Sequence, residues 1–127
     1  MKQRVRGNST GASTVELAFT LPVFMLIMLA ILELSSVFFL RHAMLNSAGD
    51  AARSYAIGAL GPAETGQLAQ QRLATIGIPF TVQTSGNTGP EVWVEISTPL
   101  SEATLGDPLG LFGGGDLTVR ATMRREA

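Results

Sequence analysis

The sequence predicts an α+β protein in which a long N-terminal membrane-spanning helix continues into a small domain with a second helix and a three-stranded antiparallel sheet. The sheet is predicted by three segments in which apolar and polar residues alternate with a period of two. The first helix is predicted by a run of 24 residues, Leu17 to Leu40, that has only four polar side chains: Thr20, Glu33, Ser35 and Ser36.

The apolar run is long enough to cross a bilayer. As an α-helix at about 1.5 Å per residue it is roughly 36 Å long, and the hydrocarbon core of a bilayer is about 30 Å thick. A buried helix of a soluble protein is the alternative, but few chains of 127 residues cover such a helix on every side. Pro22 has no amide to bond the carbonyl of Ala18, so a local bend or unwinding is expected there.

The residues before this run favour one orientation. Met1 to Thr10 carries Lys2, Arg4 and Arg6 and no acid, and positive charge beside a first apolar segment holds that end in the cytoplasm. The part after the run has six basic and eight acidic residues, which supports the same orientation. A cleaved secretory signal is the alternative. Its apolar region is usually about 7 to 15 residues long and ends at a small-residue cleavage site, whereas Arg41-His42 follows here.

Periodicity and helix-terminating residues predict the other elements. The segment from Gly58 to Pro62 ends the first helix, and a second helix is expected from Ala63 to Ile76. Strands are expected at 80–84, 91–97 and 117–123, with a glycine-rich loop at 99–115 before the last strand. The first helix is expected from about Thr14 to about Ile57, because apolar or small residues continue at three- and four-residue steps: Leu40, Met44, Ala48, Ala51, Ala52, Tyr55 and Ala56.

Composition argues against several functions. The chain has no cysteine, so it offers no disulfide and no thiolate metal site. A net charge of −1 implies no large basic surface and therefore no nucleic-acid partner. The single histidine, His42, stands beside Arg41, and no set of His, Asp or Glu has metal-ligand spacing. We expect no catalytic residue, no metal and no cofactor.

Two positions at the start of the helix form a possible processing site. If the chain is cut after Gly11, Ala12 gains an α-amino group and Glu16 becomes the fifth residue. Positions i and i+4 share a helix face, so this amine and the Glu16 carboxylate can pair within a chain or between neighbouring chains. Such a pair offsets the cost of placing either charge in lipid. An interfacial Glu16 that reaches water is the simpler interpretation.

Glu33 is the one acid within the apolar run. It lies 17 residues after Glu16, roughly 25 Å along a helix. An acid inside a membrane segment is by default a functional candidate, and a contact to another helix or a partner subunit is favoured over catalysis. A solvated interfacial glutamate remains open.

These residues resemble a known family. Gly11-Ala12-Ser13-Thr14-Val15-Glu16, followed by an apolar helix, resembles the cleavage motif of type IV prepilins. The longer stretch, with Leu21-Pro22-Val23-Phe24 and Ile31-Leu32-Glu33-Leu34, is similar to the TadE-like pseudopilins of the tight-adherence (Flp, type IVb) pilus system. The tail from Leu117 to Glu126 is similar to the end of those proteins.

The resemblance implies a pilin-like layout and a structural function. Residues 1–11 would be a basic cytoplasmic leader that is cleaved, 12–40 the transmembrane helix, and 41–127 the extracytoplasmic domain of a bacterial inner-membrane protein. Whether the subunit enters the surface pilus or only primes its assembly stays open. The implied partners are a prepilin peptidase that cuts between Gly11 and Ala12, the major Flp pilin, other TadE/TadF-like pseudopilins, the Tad membrane assembly platform and the lipid bilayer. Glu16 and Glu33 would serve subunit recognition in the membrane.

Two other functions share most of these features. An uncleaved single-pass envelope protein, whose outer domain binds a partner, differs only in its use of Gly11 and Glu16. A secreted domain released by ordinary signal cleavage would lack the whole apolar run. A membrane enzyme has the least support, because no catalytic set of residues is present in the pattern.

Overall fold

The computed structural model describes residues 9–86 and 88–126. The basic residues Lys2, Arg4 and Arg6 of the predicted leader lie outside this range. The helices and strands, in chain order, are α1 (Ser9–Ala56), α2 (Pro62–Leu73), a short 3₁₀ turn (Ala74–Ile76), β1 (Thr81–Thr84), β2 (Glu91–Pro99), α3 (Leu100–Ala103) and β3 (Asp116–Arg124).

The chain divides into two compact units, and the boundary falls inside α1. Unit 1 is Met1–Leu32 and unit 2 is Glu33–Ala127. The α+β layout expected from the sequence is confirmed, with a long apolar N-terminal helix, a second helix and a three-stranded antiparallel sheet.

Unit 1 consists of the first part of α1, and its large side chains are exposed. Phe19, for example, is 77% exposed. The most apolar part of α1 has a mean hydropathy of 2.5 and is 11% buried, so the helix is long and apolar enough to cross a membrane. The backbone stays helical through Pro22, so the unwinding expected there does not occur.

Unit 2 buries one stripe of α1 in its core. The seven residues whose spacing predicted that the helix continues are all buried in this stripe, from Leu40 to Ala56. Several of them are alanines, and small side chains allow neighbouring elements to approach the helix closely. The residues from Leu40 to Ala52 join side chains of α2 and β2 in one hydrophobic cluster, and Tyr55 and Ala56 form a second cluster with Val92 of β2.

Helix α2 has the boundaries that its end residues favour. Gly61 caps its N-terminus, and the Glu64 carboxylate accepts a hydrogen bond from the Gly61 amide at 3.0 Å. Gly77 has φ 77°, the left-handed conformation that ends the 3₁₀ turn after α2. The buried face of α2 is formed by Thr65, Ala69 and Leu73, at four-residue steps.

The sheet has the order β1-β2-β3, and both pairings are antiparallel. In the central strand β2, burial alternates, with Val92, Val94 and Ile96 fully buried. Trp93 lies on the opposite face and is half-buried. The Arg120 guanidinium stacks on its ring at 4.5 Å and donates to the Glu95 carboxylate at 2.8 Å.

One helix was not expected from the sequence. The stretch 99–115 is predicted as a loop, but its first residues form α3, and only the rest is irregular. Leu100 packs against the core, and Ala103 is buried in it. A helix of four residues is too short to show a hydrophobic period, so the sequence pattern carries no signal for it.

Candidate functional site

The predicted cleavage junction, Gly11 and Ala12, lies in the first turns of α1 and is exposed. A Cβ atom added to Gly11 meets no other atom within 4 Å, and Gly11 is not among the described glycines with positive φ. Neither the space around it nor its backbone conformation requires glycine at this position. If glycine is required, the requirement comes from another molecule.

Glu16 is exposed on the same stretch of helix, among exposed apolar side chains. Its neighbours Val15 and Leu17 are both more than half exposed. Its backbone carbonyl accepts a hydrogen bond from the Thr20 hydroxyl at 2.7 Å. Glu16 is therefore a carboxylate on an apolar helix surface, reachable from outside unit 1.

Glu33 has the opposite environment. It is fully buried within unit 2, and neither oxygen of its carboxylate has a hydrogen-bond partner among the described residues. The solvated interfacial glutamate left open by the sequence is therefore wrong. Leaving a buried polar group unsatisfied costs about 1–3 kcal/mol, and more when the group is charged.

The position of Glu33 in the helix explains its burial. Glu33, Val37, Leu40 and Met44 follow one another at three- and four-residue steps, so they share one face of α1. The Ser36 hydroxyl donates to the Ala103 carbonyl at 2.9 Å, which ties this end of the stripe to α3. The three- and four-residue steps that predicted the continuation of α1 from Leu40 therefore extend back to Glu33. Glu33 was not expected on this face, because an acid in an apolar run indicated a contact in the membrane.

The described residues contain no group of three or more His, Asp or Glu side chains close enough to hold a metal ion. His42 is exposed and lines a shallow cleft with Phe38, Arg41 and Leu45. Glu16 and Glu33 belong to different compact units. The expectation that this chain is not an enzyme stays a prediction.

The geometry defines a class of protein: one exposed apolar helix, long enough for a membrane, that continues into a small α+β unit. Within this class, residues 11–53 match the model of the TadE-like protein family, which confirms the resemblance drawn from the sequence and identifies this stretch as TadE-like. That family is a structural one associated with the Tad pilus system. No curated protein and no solved structure gave a significant match to the chain.

The matched segment begins at Gly11 and ends at Arg53, within α1. It includes Ala12, Glu16 and Glu33. The second helix and the sheet lie outside it, and so does the tail from Leu117 to Glu126. The likeness of that tail to the family therefore stays a prediction.

Proposed function

We propose that this chain is a minor pilin-like structural subunit required for assembly of a Flp/Tad adhesive pilus, and that a prepilin peptidase cuts it after Gly11. The observation that supports this best is the family match, which starts at Gly11 and covers α1 as far as Arg53. The matched segment is thus the cleavage junction, the apolar helix and the part of α1 that enters the core of unit 2.

In this proposal the chain sits in the bacterial inner membrane with its N-terminus in the cytoplasm. The basic charges before α1 and the net acidic part after the apolar run favour that orientation. Cleavage after Gly11 leaves 116 residues, with the apolar helix retained as the anchor. The C-terminal domain then lies outside the cytoplasm.

Glu16 is the proposed contact for subunit recognition in the membrane. It is exposed among apolar side chains, where a charged group is costly in lipid. The new α-amino group of Ala12, from the same or a neighbouring subunit, would offset that cost by pairing with the carboxylate.

Glu33 is the second proposed contact. Its buried carboxylate lacks a hydrogen-bond partner among the described residues, so a donor from a neighbouring subunit would lower its cost. Because the side chain is fully covered, this contact requires unit 2 to open locally when subunits assemble. The proposed partners are the prepilin peptidase, the major Flp pilin, other TadE/TadF-like pseudopilins and the Tad assembly platform.

N-terminal sequencing of the protein extracted from membranes of its native cells tests the processing step. A start at Ala12 is expected. Gly11→Ala should block the cut without disturbing the fold, because the added methyl group meets no atom within 4 Å. A matched control is Gly49→Ala in the same helix, where an added Cβ also meets no atom and cleavage should be normal. Mature-sized protein from Gly11→Ala would falsify the motif assignment.

A start at Met1 in the native protein would instead support the uncleaved single-pass envelope protein. A start beyond Leu40 would mean that the apolar run is only an export signal. Glu16→Ala tests recognition separately from cleavage: we expect normal processing with reduced surface piliation. Normal piliation in that variant would reject the pairing role of Glu16.

A further inference from the structure

The exposed large apolar side chains of unit 2 are unevenly distributed. Among the described residues of this unit there are seven, of which Leu45 lies farther along α1 and Ile57 lies in the turn that follows α1. The other five lie either near the start of the unit on α1 or in the irregular stretch 104–115, which we call the 104–115 loop: Leu34, Phe38, Phe39, Leu105 and Leu111.

The 104–115 loop is fixed close to α1 at Ser36. The Ser36 hydroxyl donates to the Ala103 carbonyl at 2.9 Å, immediately before the loop. The Leu100 amide donates to the Gly115 carbonyl at 2.8 Å, which brings the two ends of the loop together. Both ends of the loop therefore lie near the first turn of α1 in unit 2.

The conformation of the loop leaves two of its apolar side chains, Leu105 and Leu111, exposed, whereas Leu109 and Phe112 are partly buried. The Asp107 carboxylate accepts hydrogen bonds from the Leu111 amide at 2.8 Å and from the Phe112 amide at 3.3 Å, so the charged group of the loop is bonded within the loop. Residues 108–115 carry no charge. Leu105 is 64% exposed and Leu111 is 59% exposed.

The loop is also close, along the chain, to the end of the proposed anchor. Residues 12–32, the part of the predicted transmembrane helix 12–40 that belongs to unit 1, make a helix of roughly 32 Å, enough to cross a bilayer core of about 30 Å. Ser36 is four residues after Leu32, so the base of the loop is close to the end of this segment along the chain. Phe38 and Phe39 are exposed farther along α1, and Arg41 follows with a charge suited to lipid head groups.

We infer that the 104–115 loop is a second membrane contact, which inserts Leu105 and Leu111 into the interface of the bilayer that α1 crosses. This rests on the proposed membrane anchor. Lipid is the occupant because Leu105 and Leu111 are exposed, the Asp107 carboxylate is bonded within the loop, and the base of the loop is bonded to α1 at Ser36, four residues along the chain from the anchor. In this proposal the loop holds unit 2 against the membrane surface and sets how deeply the part of α1 near Glu33 lies in the bilayer.

Tryptophan quenching by lipids brominated near the carbonyl end of their acyl chains tests this in the full-length protein in vesicles. The chain has one tryptophan, so Trp93→Phe gives a silent background. Three variants are compared in it: Leu111→Trp in the loop, Phe24→Trp in the anchor, and Ile57→Trp as a control with an exposed fraction of 56%, close to that of Leu111. Thermal unfolding checks that each variant folds.

We expect Leu111→Trp to lose most of its emission, as Phe24→Trp does, while Ile57→Trp keeps its own. If Leu111→Trp folds poorly, Leu105→Trp replaces it, and we expect the same strong quenching. Quenching of the loop tryptophans no greater than at position 57, with Phe24→Trp quenched, overturns the loop contact and leaves the anchor standing. No quenching at position 24 overturns the anchor and the loop contact together.

Discussion

The two parts of helix α1 present different surfaces along one continuous backbone. In residues 11–32 the exposed side chains are large, with leucines, phenylalanines and methionines around the helix. From residue 33 to residue 56 the buried stripe is dominated by alanines, with Met44 and Tyr55 as its largest apolar members. Large side chains suit lipid chains, which adapt to any shape, whereas small ones admit a packed helix and sheet.

The comparison shows that hydropathy alone does not tell whether a helix packs into a protein core or leaves its apolar surface exposed. Both parts are apolar and both are helical, yet only the second enters a protein core. What separates them is side-chain volume on one face and the polar bonds that fix that face, such as the Ser47 hydroxyl donating to the Ala69 carbonyl of α2 at 3.1 Å.

The largest effect is expected from a matched pair of methionines in α1. Met44 is fully buried in unit 2, so Met44→Ala should lower the free energy of unfolding by about 2–5 kcal/mol. Met28 is 58% exposed in unit 1, so Met28→Ala should change it by less than about 0.5 kcal/mol. Urea unfolding of the full chain in detergent, followed by Trp93 fluorescence, measures both. Equal losses would remove the distinction between the two parts of the helix.

A second pair compares the two acids of the helix. Glu33→Met should raise the free energy of unfolding of unit 2 by about 1–3 kcal/mol, because it removes a buried carboxylate without hydrogen-bond partners among the described residues. Glu16→Met, at an exposed position, should leave it nearly unchanged. The same urea titration applies. A less stable Glu33→Met would show that the carboxylate makes a favourable contact in unit 2.

The smallest effect is expected from two serines of α1. Ser47→Ala removes a buried hydrogen bond to α2 and should cost about 1 kcal/mol. The Ser54 hydroxyl bonds to the Asp50 carbonyl within its own helix and to no other group of the described residues, so Ser54→Ala should cost close to nothing. If both variants lose the same stability, the bond between α1 and α2 does not fix the packed face.

Much of this fold is predictable from the sequence because its signals are local. The period of the apolar residues predicted α1 to within five residues at either end, and the alternating pattern predicted three strands close to those observed. The second helix was expected from Ala63 to Ile76, and α2 with its 3₁₀ turn covers that range. The sequence pattern did not identify its buried face, because Thr65 and Ala69 are a hydroxyl and a small residue with little hydrophobic signal.

The candidate site was harder to predict for two physical reasons. Glu33 shares a helix face with the buried Leu40, and the neighbouring Ser36 bonds to Ala103, 67 residues later in the chain, a contact that no local pattern contains. Cleavage between Gly11 and Ala12 depends on a second protein. An added Cβ at Gly11 meets no atom within 4 Å, so Gly11→Ala tests cleavage without a steric effect on the fold. Cleavage between Gly11 and Ala12 itself remains a proposal.

The C-terminal end of α1 is bonded to the segment that follows β3. The Glu126 amide donates to the Ala56 carbonyl at 3.0 Å, the Arg125 amide donates to the Pro90 carbonyl at 2.8 Å, and β3 pairs with β2 along its length. A chain emerges from its N-terminus during synthesis, and contacts far apart in sequence form slowly. Unit 2 thus completes its core only after β3 has been made, so a product that ends between β2 and β3 exposes an unpaired edge of β2.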